Sequence, residues 1–166
     1  MTEANPLSHR VVNDPLSNPV VTGPSTTEFL ELASAEVDLS DFSGTLYAEV
    51  GGRPVFAELA RLFYASVAQD EEFRSMYPEQ DLYPARIRLQ LFLEQYWGGP
   101  STYSQHRGHP RLRMRHMPFH VDAHNRDVWL GHMNKAIGQM DLSPLHAETL
   151  RDYFDRAAHS LVNRPG

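Results

Sequence analysis

The chain has 166 residues, no cysteine and a net charge of −6, from 21 acidic against 15 basic side chains. That length supports one domain, or one domain with a tail, and the missing thiols exclude disulfides, zinc–thiolate sites and iron–sulfur clusters. The charge sits in residues 1–42, which hold seven acids and one arginine, while the remaining acids and bases cancel; a neutral body argues against a nucleic-acid protein, which needs a net basic face.

No apolar run approaches membrane-spanning length. The opening MTEANPLSHR lacks the basic-then-apolar pattern of a secretory signal, and a cytoplasmic location is expected. Residues 1 to about 27 are rich in Pro, Ser, Thr and Asn and read as disordered. From Thr27 to Ser43, the apolar set Phe29, Leu30, Leu32, Val37, Leu39 and Phe42 suggests a short helix, then extended chain.

Thr45 to Val50 reads as a short helix closed by Gly51 and Gly52, which permit left-handed backbone. Pro54 opens a longer helix. Its apolar positions Val55, Leu59, Leu62, Phe63, Ser66 and Val67 keep a helical period, with Tyr64 at the edge. Asp70 to Met76 predicts a turn of helix. Pro84 opens the next helix, with Ala85, Leu89, Phe92, Leu93 and Tyr96 on one face and Gly98-Gly99-Pro100 closing it. Ser101 to His109 reads as a loop.

The segment from Gly108 to His116, GHPRLRMRH, follows. Pro110 suits the first position of a short helix, and Pro118 stops it. His116 then falls in or just past the last turn, among Arg111, Arg113 and Arg115. An imidazole on a short rigid segment beside guanidinium groups suits an iron porphyrin with two propionates. A surface helix with basic residues near its C-terminus is the alternative reading.

Asp122 is a good N-cap for the next helix, which carries the stripe Val128, Trp129, Met133, Ala136, Ile137 and Met140. Ser143 and Pro144 start the last helix, with Leu150, Tyr153, Phe154, Ala157, Ala158, Leu161 and Val162 on one face. Strand signals and internal repeats are absent, so the fold class is all-α.

Nine histidines invite a metal-site reading. His116, His120 and His124 have helical spacing, but Pro118 and the Asp122 cap break the helix between them. HExxH and Glu-x-x-His patterns are missing. His106 and His109 read as solvated, and His132 and His159 as locally hydrogen-bonded. Tyr64, Tyr77 and Trp129 each put a polar tip on an apolar body, and such tips find partners when buried. Each alone would be an ordinary core aromatic. Together with one candidate imidazole ligand they describe a pocket with several donors.

From about Ser43 onward the chain resembles the group II truncated haemoglobins. The resemblance rests on an ordered series: LYAEVGG, LFYASVAQDEEFRSMYPEQDL, FLEQYWGGPSTYSQHRGHPRLRMRHMPF, RDVWLGHM and AAHSLVN. It implies a globin domain over 43–166, folded as a two-over-two helical sandwich around haem b, with an acidic N-terminal extension over 1–42 that the family pattern does not include. It implies His116 as the proximal iron ligand. It matches Tyr64, Tyr77 and Trp129 to the distal donors, and Ala85 to the distal-helix position where many haemoglobins carry a polar gate residue. Leu89 and Phe92 would meet the porphyrin face, with Leu112 and Phe119 as further pocket contacts, and Arg115 would pair with a propionate.

The implied function is reversible binding of O2, CO and NO at histidine-ligated iron. An NO dioxygenase or peroxidase-like enzyme fed by an external reductase is the first rival, and a sensor whose tail binds a partner is the second. A homodimer is left open.

Overall fold

The computed structural model describes residues 26–165. Among these it contains helices and no strand. The expectation of disorder for residues 1 to about 27 lies almost wholly outside the described residues.

In chain order the helices are α1 (Thr26–Leu32), α2 (Leu46–Val50), α3 (Arg53–Ala68), α4 (Glu71–Arg74), α5 (Tyr83–Tyr96), α6 (Thr102–Arg107), α7 (Leu112–His116), α8 (Ala123–Gly138) and α9 (Pro144–Ser160), with a 3-10 turn at Leu39–Phe42. Helix α3 packs on α5 and α8 packs on α9, and α3 also meets α8. Two helical pairs laid one over the other make the two-over-two sandwich.

The caps follow the expected chemistry. Thr45 Oγ1 accepts from Ala48 N–H at 3.2 Å, Asp70 from Phe73 at 3.1 Å, Asp122 from Asn125 at 2.8 Å and Ser143 from His146 at 3.1 Å. Each satisfies a donor that the first helical turn leaves orphaned. Gly51 and Gly52 have φ of +120° and +76°, and a Cβ at Gly52 would sit 2.4 Å from Leu39 Cδ2. The α2–α3 corner therefore needs glycine on both conformational and steric grounds.

Three elements differ from the sequence reading. Ser101 to His109 is not a loop, because α6 occupies Thr102–Arg107 without a side-chain cap. Pro110 precedes α7 rather than starting it; Arg111 intervenes, with φ of +45°. The stretch after α1 coils into the 3-10 turn instead of extending, capped by Asp38 on Ser40 N–H at 3.0 Å.

Helix α5 is buried on two sides. Ala85 and Leu93 join the main core with Phe56, Phe63, Met133, Ile137 and Phe154. Ile87 and Leu91 join a second cluster with Phe29, Ala33 and Tyr103. Segment 26–42, which the resemblance leaves outside the globin domain, thus supplies core residues.

A buried polar network reinforces that docking. Arg53 Nε and Nη2 donate to the Glu94 carboxylate at 3.1 and 2.8 Å, and Glu94 is fully buried. Arg53 Nη1 donates to the carbonyls of Leu32 at 2.5 Å and Ala35 at 3.0 Å. Gln90 Nε2 donates to Ala33 O at 3.1 Å and to Glu94 at 2.8 Å. Two charges and three backbone carbonyls are satisfied together, which lets them leave water.

Candidate functional site

The five-residue helix α7 presents His116 at its last position. His116 Nδ1 lies 2.7 Å from the Leu112 carbonyl. A carbonyl can only accept, so Nδ1 carries the proton and Nε2 keeps its lone pair. Burial pushes the imidazole below its ordinary value of 6.5; the Leu112 bond opposes that shift and Arg115 adds to it. His116 is therefore a neutral donor at neutral pH.

The turn after His116 is tied to the end of the chain. Asn163 Nδ2 donates to His116 O at 3.0 Å, and Asn163 Oδ1 accepts from Val121 N–H at 3.1 Å. Asn163 N–H donates to Val121 O at 2.8 Å. Arg164 Nη2 reaches Met117 O at 3.2 Å, and Arg113 donates to Ser160 O.

His116 opens onto an apolar cavity between the two helical pairs, with ≈ 1200 Å³ of free space, mouth included. Tyr64, Tyr77, Leu89, Phe92, Leu112, Phe119 and Trp129 line it with His116, as the sequence reading grouped them. Ala85 and Arg115 do not line it. Ala85 is fully buried in the core. Arg115 is buried too, donating to Tyr103 Oη at 2.7 Å and to the carbonyls of Arg107 at 2.8 Å and His109 at 3.1 Å. Its guanidinium knits the α6–α7 connection, so the structure gives it a role in holding α7.

The cationic groups on the cavity wall are Arg88 and Arg126. Arg88 is buried and donates to Glu79 Oε2 at 2.5 Å, while Arg126 Nε pairs with Asp127 at 3.0 Å. Sequence reasoning missed both. Arg88 sits one turn before Phe92, and that spacing was the one available signal.

Tyr64 and Tyr77 meet edge to face, with centroids 5.7 Å apart. Burial raises the Tyr77 phenol to about 12 and holds Tyr64 well above its ordinary value. Both stay protonated, so both can donate into the cavity. Trp129 leans on Phe63 at 5.2 Å, and its indole can only donate.

His132 is not locally bonded, as its sequence position suggested. It bridges elements: Nδ1 lies 2.6 Å from Ser66 Oγ and Nε2 lies 2.9 Å from Asp70 Oδ2. The Phe73 N–H and His132 hold the Asp70 carboxyl below 3.8. A depressed folded value means the contribution is complete above pH 3.8 and is lost as pH falls through that lowered value. Asp70→Asn is therefore expected to lower stability at pH 7 and to lose that deficit as pH falls below 3.8, so that its acid limb is flatter; urea midpoints at several pH values check it.

His116 is the one histidine on the cavity wall, and among the described residues no three His, Asp or Glu side chains cluster to hold a metal ion. One nitrogen with a free lone pair, broad aromatic walls and arginines on the lining fit a flat, largely apolar cofactor that brings its own metal and carries acidic groups. No helix among the described residues is long and apolar enough to cross a membrane.

Comparisons with known proteins agree with this geometry. The family model described as bacterial-like globin matches residues 45–163. The group 2 truncated hemoglobin YjbI of Bacillus subtilis is 34% identical over 70% of this chain and 87% of its own length. The crystal structure of a thermostable hemoglobin from Thermobifida fusca aligns with a TM-score of 0.72 at 52% identity, covering 74% of this chain and 99% of that one. The group II truncated hemoglobin of Bacillus anthracis aligns at 0.70 with 30% identity, covering 74% and 93%.

Proposed function

Because the chain belongs to the bacterial-like globins, as a group II truncated haemoglobin that binds haem, we propose that it binds haem b through His116 and holds O2, with CO and NO as further ligands, on the side served by Tyr64, Tyr77 and Trp129. Haem held there would supply an iron able to take up a diatomic ligand. The observation that carries the reading is His116 itself: its Nδ1–H is spent on Leu112 O at 2.7 Å, which leaves Nε2 its lone pair, and its side chain lines a cavity with three polar-tipped aromatics.

The chain's residues divide the work. His116 donates a lone pair and is kept neutral by burial. Arg115 holds α7 in place through Tyr103 and two carbonyls. Arg88 and Arg126 on the lining are the groups suited to propionates, by charge-assisted bonding. The apolar wall excludes water, which strengthens each remaining hydrogen bond. Absorption spectra of ferric, ferrous and CO-bound protein test the assignment; without a Soret band it is wrong.

Ala85 has no polar atom and is turned from the cavity, so the burden of donation passes to Trp129 and the two hydroxyls. Hydrogen bonds to charged groups contribute about 1.5–3 kcal/mol, roughly tenfold to a hundredfold in an equilibrium. Trp129→Phe is expected to speed O2 release by that factor. Tyr77→Phe should do as much or less, and Tyr64→Phe least if its hydroxyl mainly orients Tyr77. CO takes on less negative charge than O2 and should respond far less. Stopped-flow dissociation of both gases decides; equal acceleration would make the indole a steric gate.

Redox turnover, as an NO dioxygenase or peroxidase-like enzyme drawing on an external reductase, is the second reading. It is favoured by the convergence of three donors on one cavity, which suits polarising a ligand more than releasing it.

A further inference from the structure

The outer side of α7 carries the opposite charge to the chain as a whole. Residues 95–121 hold four arginines and none of the 21 acidic side chains. Asp122, the first acid after them, is spent on the Asn125 N–H at 2.8 Å and on His120 at 3.0 Å. The helical period divides the segment. Leu112, His116 and Phe119 line the cavity, and Arg115 is buried against Tyr103. Arg111 and Arg113 are exposed, with Met114 at 52% and Met117 at 50%. The methionines are three residues apart and share a face, flanked by guanidinium groups. Exposed methionine is a soft, adaptable contact surface, and adjacent apolar exposure with a polar rim is what interaction sites present.

The same backbone holds the cavity's imidazole. Met117 follows His116 directly, and its N–H donates to Met114 O at 3.2 Å. We propose that Arg111, Arg113, Met114 and Met117 form the docking face for an acidic protein that carries single electrons, and that the electron enters the haem cavity through α7. This rests on the haem-binding reading above and names the external reductant that redox turnover there requires. One electron leaves the carrier and turns ferric iron to ferrous; no bond forms or breaks and no proton moves.

Charge selects this occupant. A chain of net charge −6 repels an acidic partner at a distance, so such a partner is gathered and oriented only where the sign reverses. Electron-transfer encounters use small interfaces, below about 1,200 Å², a scale suited to a five-residue helix and its flanking turns. A lipid surface fits less well: helices that lie on membranes present Trp, Phe or Leu, and the exposed side of α7 presents none of these.

The test uses the full chain loaded with haem, first checked by its absorption spectrum, with reduced flavodoxin, an acidic FMN protein, as the probe. Stopped-flow reduction of the ferric protein is followed at low and high salt. The expected rate falls steeply with salt. At low salt, Arg111→Glu combined with Met114→Gln should lower it roughly tenfold or more, the range of electrostatic steering, while Arg111→Lys keeps it. Lys135→Glu, an equal charge change in the last turn of α8, should leave it nearly unchanged. Dithionite, which needs no docking, should reduce every variant alike. Apart from turnover, hydrogen exchange over residues 111–117 should slow when oxidised flavodoxin is added to the native protein, and not in the double variant. A salt-independent rate, an equal loss in Lys135→Glu, or protection confined to other segments overturns the docking face and leaves haem binding intact. So does a face that instead holds anionic phospholipid vesicles or a second copy of the chain, with that binding lost in the double variant. Failure to take up haem overturns both.

Discussion

Replacing His116 by alanine is expected to remove most haem affinity. Among the described residues no other histidine lines the cavity, and α7 has five residues with no second imidazole to offer. Loss of a mere outer-shell partner in metal sites costs roughly 10–100-fold in affinity; loss of the ligand itself should exceed that. Haem titration followed at the Soret band gives the number. Adding free imidazole to His116→Gly should restore part of the binding, because the cavity and its clamps remain. A normal five-coordinate histidine-type ferrous spectrum in the alanine variant would show that another residue ligates the iron.

The second large effect is expected far from the cavity. Arg53→Ala strands the Glu94 carboxylate, which has no exposed surface, and removes the donors from Leu32 O and Ala35 O. Removing one partner of a buried pair costs about 3–5 kcal/mol. Urea unfolding should show this as a lower midpoint. The double variant Arg53→Met/Glu94→Leu should recover much of the loss, since apolar replacement of a buried pair is often neutral. A change within about 0.5 kcal/mol, the range of ordinary surface substitutions, would mean the network contributes nothing net.

The same network moves the safe limit of an N-terminal deletion. The polar, proline-rich composition of residues 1–42 predicts that their removal leaves a folded globin, with the apolar set from Phe29 to Phe42 as the part that could pack on it. Phe29 and Ala33 are buried against Ile87, Leu91 and Tyr103. Deletion to residue 42 strips that cluster and leaves Arg53 and Gln90 without their carbonyl partners. Deletion to residue 25 keeps them.

Local chemistry made much of the molecule readable. Threonine, aspartate and serine caps, prolines near helix starts and the Gly51-Gly52 pair act within four residues of the features they specify, so one strand of text contains them. His116 was readable for the same reason, fixed between its helix and Pro118. Arg53 and Glu94 lie 41 residues apart, and no local pattern announces such a pair. Helix α5 misled in another way. A helix buried on two sides has no single apolar stripe, so reading one face found Leu89 and Phe92 and overlooked Ile87, Leu91 and Arg88. Helix α6 lacks a side-chain cap, which left its start unmarked.

The bonds from Asn163 and Arg164 to the turn after His116 bear on how the protein can be handled. Affinity tags, fluorophores and fusion partners are customarily attached to whichever terminus is convenient. Here Asn163 and Arg164 are part of the brace on the turn after His116: a cut after Leu161 frees the carbonyls of His116 and Met117 together. A bulky group placed there pulls on the very backbone that sets the imidazole's position. Measurements of ligand kinetics are best made on protein whose C-terminus carries no attachment.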